Sequence, residues 1–193
     1  MRKIVQFIVV CSLFVAFSSC GTDSKYVSCD ERLLSVLKSR ETFIAENNNE
    51  TYLDEFVYGN DDERKYYAQP QKYSFVDFDN DGINELVVDI TTNRTYFMVF
   101  HIYEGNVYGF LFGCRSMQLV KKDGTFEQTG SADTNYYCKM QFAEGRYSII
   151  NIAVSDSVEG VYEINGEICS QESVDAYIKN WKNRKNADWV DVF

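Results

Sequence analysis

Residues Tyr73–Ile90 read YSFVDFDNDGINELVVDI, and the fold turns on what flanks the acidic centre of that stretch. Asp77, Asp79, Asp81 and Glu85 fall at positions 1, 3, 5 and 9 of a loop that has Gly82 at position 6. Four carboxylates at this spacing repel one another unless a cation sits among them, and oxygen donors at alternate positions around a glycine turn suit a hard divalent ion. The expected ligands are Asp77, Asp79, Asp81 and Glu85, with the carbonyl of Ile83 at position 7. The expected ion is a structural Ca2+, because Mg2+ gives up its waters reluctantly. A solvated acidic turn is the plain alternative, since Asn-Asp-Gly is itself a turn signal. The flanks, YSFV before and ELVVDI after, are aromatic and β-branched, which predicts a strand-loop-strand site.

Working outward, the same β-rich texture continues. Candidate strands cover 73–77, 85–91, 95–103, 106–112, 116–121, 125–129, 135–142, 146–153 and 160–164, with turn material at Glu104-Gly105-Asn106, Lys122-Asp123-Gly124, Glu144-Gly145 and Asn165-Gly166. Successive hairpins without intervening helices imply an antiparallel meander of eight to nine short strands. Tyr96–Tyr103 is apolar on both faces, so the sheet is either curled on itself or covered by helices. Two helices are available to cover it. One is capped by Asp30 and carries Leu33, Leu34, Leu37, Phe43 and Ile44 at helical spacing, ending near Asn47-Asn48-Asn49. The other begins at Ser170 and carries Val174, Tyr177, Ile178 and Trp181 on one stripe. Between the first helix and the strands, residues 50–71 read as a short helical piece and a loop. The fold class is α+β: a meander flanked by an N-terminal and a C-terminal helix.

The N-terminus supplies an address. Arg2 and Lys3 precede an almost unbroken apolar run from Ile4 to Phe17, closed by Ser18-Ser19-Cys20. This is a signal peptide, too short for a comfortable membrane span. The small-small-Cys ending resembles the lipobox of bacterial lipoproteins, which implies that Cys20 is lipidated with palmitate-type chains and becomes the mature N-terminus. Serine at both preceding positions resembles the variant found in Gram-negative gut bacteria. The domain reading is therefore 1–19 signal peptide, 20–28 lipidated tether and 29–193 a single domain in the bacterial cell envelope, at the outer membrane or cell surface. An ordinary secretory signal with Cys20 left as a thiol is the other reading.

Charge and cysteines narrow the class further. The formal net charge is −10, and removing the leader takes Arg2 and Lys3 with it. Such a surface repels nucleic acid and anionic headgroups, so membrane association rests on the lipid. Setting Cys11 and Cys20 aside leaves Cys29, Cys114, Cys138 and Cys169. In an exported chain an even count permits two disulfides, and four cysteines allow three connectivities. Cys114 with Cys138 and Cys29 with Cys169 are the expected pairs if bridges form; free or buried thiols are the alternative. No CxxC spacing supports zinc or thioredoxin-type chemistry.

The acidic loop departs from the EF-hand, which needs a helix on each side and a bidentate acid at position 12, where this chain has Val88. It resembles instead the Asp-rich calcium loops of FG-GAP-type propeller repeats and, less closely, dockerin loops. Those families repeat the loop; this chain carries it once, so neither a propeller nor a dockerin is implied. A wider resemblance is carried by FVDFDNDGINELVV, FHIYEGNVYGF, KKDGTF and VYEINGEICSQESVDAY. It is similar to uncharacterised exported lipoproteins of gut bacteria, which implies topology and location but no activity.

Catalytic signals are sparse. His101 is the one histidine and lies in an apolar strand, where it reads as a packed, hydrogen-bonded ring rather than a general base. No GxSxG elbow, HExxH helix or phosphate-cradling glycine loop occurs. Fourteen Tyr, fourteen Phe and two Trp exceed the needs of a core this size, so some are expected on a surface that stacks on glycans or a protein partner. The first reading is a lipid-anchored, calcium-stabilised binding or accessory module. The readings from other classes are a glycan-acting hydrolase using an acidic pair, and an immunity or inhibitor lipoprotein that occupies a basic partner.

Overall fold

The computed structural model describes residues 28–58, 66–90 and 96–192, and the structural statements below concern these. The expected signal peptide, Cys20 and most of the expected tether lie outside them. The first helix, α1 (Cys29–Leu37), is capped by Ser28 rather than Asp30. Ser28 Oγ accepts the Glu31 N–H at 3.2 Å, and the Glu31 carboxylate accepts the Ser28 N–H at 3.1 Å. This capping box satisfies two donors that the helix itself leaves unpaired.

The expected extension of α1 to Ile44 does not form. After Leu37 the chain reads Lys-Ser-Arg-Glu-Thr, with no apolar residue to continue the buried stripe, and Ser39 turns to φ 50°. Phe43–Ala45 is instead the first strand, β1, and the three asparagines form its turn into β2 (Glu50–Thr51). Asn48 sits at φ 62°, and Asn47 Oδ1 accepts the Asn49 N–H at 3.0 Å. Asparagine tolerates that left-handed backbone better than most residues.

The helical piece expected within 50–71 is also absent from the described part of that stretch, where β3 (Val57–Tyr58) pairs with β4 (Tyr66–Tyr67). Four consecutive strands follow as a meander: β5 (Lys72–Val76), β6 (Glu85–Asp89), β7 (Phe97–Tyr103) and β8 (Asn106–Phe112). A second meander comprises β9 (Phe126–Thr129), β10 (Thr134–Ala143), β11 (Arg146–Asp156), β12 (Val161–Ile164) and β13 (Glu167–Ile168). The chain closes with α2 (Gln171–Lys182) and β14 (Val190–Asp191). The strand expected at 116–121 is a loop carrying only isolated bridges at Gln118 and Lys121.

The meander expected from sequence is thus split between two sheets. The first has the order β14-β5-β6-β7-β8-β1-β2 and the second the order β13-β12-β11-β10-β9. All pairings are antiparallel except β1 with β8, which is parallel. The two sheets pack face to face through Val87, Val99, Phe110 and Phe112 from the first and Phe126, Cys138 and Met140 from the second. The opposite face of the first sheet presents Leu86, Val88, Met98 and Phe100 to Leu33, Val36 and Leu37 of α1. The opposite face of the second presents Tyr137 and Ala153 to Trp181 of α2. Strand β7 is apolar on both faces because it has a sheet on one side and a helix on the other.

A bulge adjusts the second sheet to its two neighbours. Tyr137 pairs with Ala153 and Cys138 with Asn151, so Ile152 is the extra residue on β11. Without that insertion Ala153 would share the inward face of Asn151 and Ile149; with it, Ala153 joins Tyr137 beneath α2.

Candidate metal centre

Strand β5 ends at Val76 and β6 begins at Glu85, so the acidic stretch is a strand-loop-strand element. Asn80 (φ 61°) and Gly82 (φ 88°) make the left-handed steps that fold it back. A Cβ on Gly82 would meet open space; glycine is needed there for the backbone angle alone.

The loop's carboxylates are held by its own amides. Asp77 Oδ1 accepts the Asp81 N–H and its Oδ2 accepts the Gly82 N–H, both at 3.1 Å. Asp79 Oδ1 also accepts the Asp81 N–H, at 3.3 Å, and Asp81 Oδ1 accepts the Ile83 N–H at 2.7 Å. Glu85 is fully buried. Its Oε2 accepts the Phe78 N–H at 3.0 Å, and its Oε1 is hydrogen-bonded to Nδ1 of His101, also at 3.0 Å.

One carboxylate oxygen from each of Asp77, Asp79 and Glu85 lies within 4.8 Å of the others. Of the residues expected as ligands, these three are brought together. Asp81 lies outside the cluster and caps Ile83 instead, and Ile83 is an exposed loop residue. An accepting carboxylate oxygen keeps a second lone pair, so the three acids can still face a common ion. An all-oxygen donor set of this kind suits a hard cation. Burial raises the Glu85 pKa; the His101 hydrogen bond, the Phe78 amide and the His101 charge oppose that rise, and the charge on Asp79 adds to it.

His101 meets the expectation of a packed, hydrogen-bonded ring, but its partner was not anticipated. Leu86 pairs with Phe100 across β6 and β7, and that register carries His101 alongside Glu85. The other signal is the ring's position between layers: it stacks on Phe142 of the second sheet at 4.3 Å with planes 6° apart. Loop, first sheet and second sheet meet at this one imidazole.

A second support comes from residues the sequence marked only as a turn. Gly124 (φ 78°) packs so closely on the loop entrance that a Cβ there would sit 2.5 Å from the Asp77 carbonyl oxygen and 2.8 Å from Phe78 Cα. The flanking residues tie this turn to the end of α2. Asp123 accepts hydrogen bonds from the Thr125 N–H and hydroxyl and from Arg184 Nη1. Thr125 Oγ1 accepts the Trp181 indole N–H at 2.8 Å. Lys121 is buried, with its Nζ donating to the Lys182 and Arg184 carbonyls and to Asn186 Oδ1, 4.7 Å from the centre of the Trp181 ring. An ammonium at a helix C-terminus offsets the carbonyls exposed there.

The cysteine pairings expected from sequence are not present: Cys29, Cys114, Cys138 and Cys169 are all free. Cys138 lies within β10. Its thiol points between the sheets, with Sγ donating to Asn151 Oδ1 at 3.3 Å. Cys29 is the exposed first residue of α1. Compared with known proteins, the chain matches no family model, no curated protein and no solved structure.

Proposed function

We propose that this chain is a lipid-anchored binding or accessory module of the bacterial cell envelope whose β5–β6 loop holds a structural Ca2+. The observation that carries the metal reading is the convergence of Asp77, Asp79 and Glu85 in a loop already ordered by its own amides. Asp81, which caps Ile83, stands outside that set. The role is structural because Glu85 is fully buried and hydrogen-bonded through both oxygens, which leaves it no access to a substrate. The ion would join the exit of β5 to the entry of β6, and its binding free energy would add to folding free energy. At a hundredfold excess over the dissociation constant that gain is about 2.7 kcal/mol. The anchor reading rests on Ser18-Ser19-Cys20 and its resemblance to a lipobox.

The test is the thermal unfolding midpoint of the purified protein in Ca2+, in Mg2+ and in a chelator, alongside the Asp77→Asn/Asp79→Asn double variant. A rise specific to Ca2+ and absent from the variant is expected. Equal midpoints in all three solutions would reduce the loop to an acidic turn.

A further inference from the structure

A groove of about 620 Å3 opens where β8 and the turn after β1 face the β10–β11 turn. Its floor is aromatic: Phe110 is buried, and Tyr108 and Tyr147 are half-buried. These rings are fixed in place. Tyr108 lies against Gly145, where a Cβ would come within 2.5 Å of the ring, and Tyr147 packs on Phe110 and Phe112 with centroids 4.9 and 5.1 Å apart.

The lining also carries Glu46, Glu144 and Arg146. Glu46 is an exposed residue that lines the groove together with Tyr147. Partial burial raises its pKa, against the lowering influence of the neighbouring Tyr147 hydroxyl and Leu111 amide. Among the described residues neither glutamate has a cationic partner in an ion pair, and Arg146 has no acidic one. Two carboxylates that line one groove and have no ion-pair partner are complementary to a cation. Aromatic faces beside them favour the same ligand, since a cation is attracted to the ring quadrupole and the stem of a long basic side chain packs on the ring.

We propose that this groove seats a lysine or arginine side chain of a basic partner protein, its stem on Tyr108 and Tyr147 and its charged head at Glu46 and Glu144. The net charge of −10 steers such a partner toward the domain, and the groove supplies the local fit. This rests on the reading of the domain as a binding module and gives that module its partner chemistry.

The experiment is calorimetric titration of the purified protein with the peptide acetyl-Lys-Lys-Lys-amide, its Nε-acetylated form and neutral maltotriose, each in Ca2+ and in chelator. The lysine peptide is expected to bind with an affinity that falls as salt is raised, and the acetylated peptide is not. Glu46→Gln should weaken binding about tenfold, the cost of one charge contact. Arg146→Glu should strengthen it, and Glu167→Gln, at the edge of the second sheet, should leave it unchanged. The unfolding midpoint of each variant separates a lost contact from a lost fold.

Equal weakening by Glu46→Gln and Glu167→Gln would show only a diffuse acidic surface and overturn the proposal, as would equal binding of the acetylated peptide. Maltotriose binding in place of the peptide would overturn the cationic ligand while keeping the binding module. Failure of all three ligands to bind would remove both, and persistence of peptide binding in chelator would separate the groove from the metal.

Discussion

At the scale of single residues, two glycines with similar backbone angles separate two physical effects. Gly82 and Gly124 both have positive φ, so an alanine at either costs about 1–2 kcal/mol from the left-handed backbone. Gly82 faces open space, whereas a Cβ on Gly124 would collide with the Asp77 carbonyl and Phe78 Cα. Gly124→Ala is therefore expected to lower the urea midpoint more than Gly82→Ala, and equal shifts would mean that the turn at 122–124 does not buttress the loop. The thiols give a second contrast. Burial pushes the Cys138 pKa to about 12, which leaves almost no thiolate at neutral pH, while Cys29 is exposed. Mass mapping after iodoacetamide treatment of the folded protein should find Cys29 alkylated and Cys138 untouched until denaturant is added.

At the scale of elements, the segment from Lys121 to Thr125 matters more than its length suggests. It supports the acidic loop through Gly124 and receives the end of α2 through Asp123, Thr125 and Lys121. Asp123 supplies a pH signature. Burial alone would raise its pKa, but the Thr125 hydroxyl and amide and the Arg184 guanidinium outweigh that and lower it below the ordinary 3.8. A carboxyl with a depressed folded pKa contributes stability that is fully present above its unfolded value and is lost as pH falls through the folded value. Wild type should therefore lose stability below about pH 4 more steeply than Asp123→Asn, measured by urea denaturation across that range. Parallel acid limbs would show that Asp123 does not hold α2.

The legibility of these elements from sequence follows the range of the interactions that make them. Strands β5 to β12 were readable because aromatic and β-branched runs alternate with glycine turns, a local signal. The clustering of Asp77, Asp79 and Glu85 was readable for the same reason: they are near neighbours in sequence. The end of α1 was misread because Phe43 and Ile44 fit a helical stripe by spacing; the polar break at 38–42 was the better evidence. The loop at 116–121 has strand-like composition but adds only isolated bridges, a tertiary fact. Glu85 with His101, and Lys121 with the end of α2, join positions that only the register and the packing of the two sheets bring together. The cysteine pairing failed on the same ground, since Cys138 is turned between the sheets.

At the scale of the whole molecule, four layers follow from two sheets that each bury both faces: α1, the first sheet, the second sheet and α2. The interior between the sheets is dominated by aromatic rings, including Phe78 against Phe126 and Phe97 against Trp189. This accounts for much of the aromatic content, and Tyr108 and Tyr147 account for part of what faces solvent. The first sheet, however, is assembled from distant parts of the chain. Its β1 strand comes from residues 43–45 and its outermost strand, β14, from residues 190–191, where Val190 pairs with Tyr73. The outer edge of β5 gains its neighbour only when β14, far from it along the chain, is in place. Until then the Lys72–Tyr73 end of that edge is an open template with unpaired amides and carbonyls, able to recruit another copy. A strand of two residues thereby closes one end of a sheet edge, and a chain with β14 undocked offers that edge to a second copy.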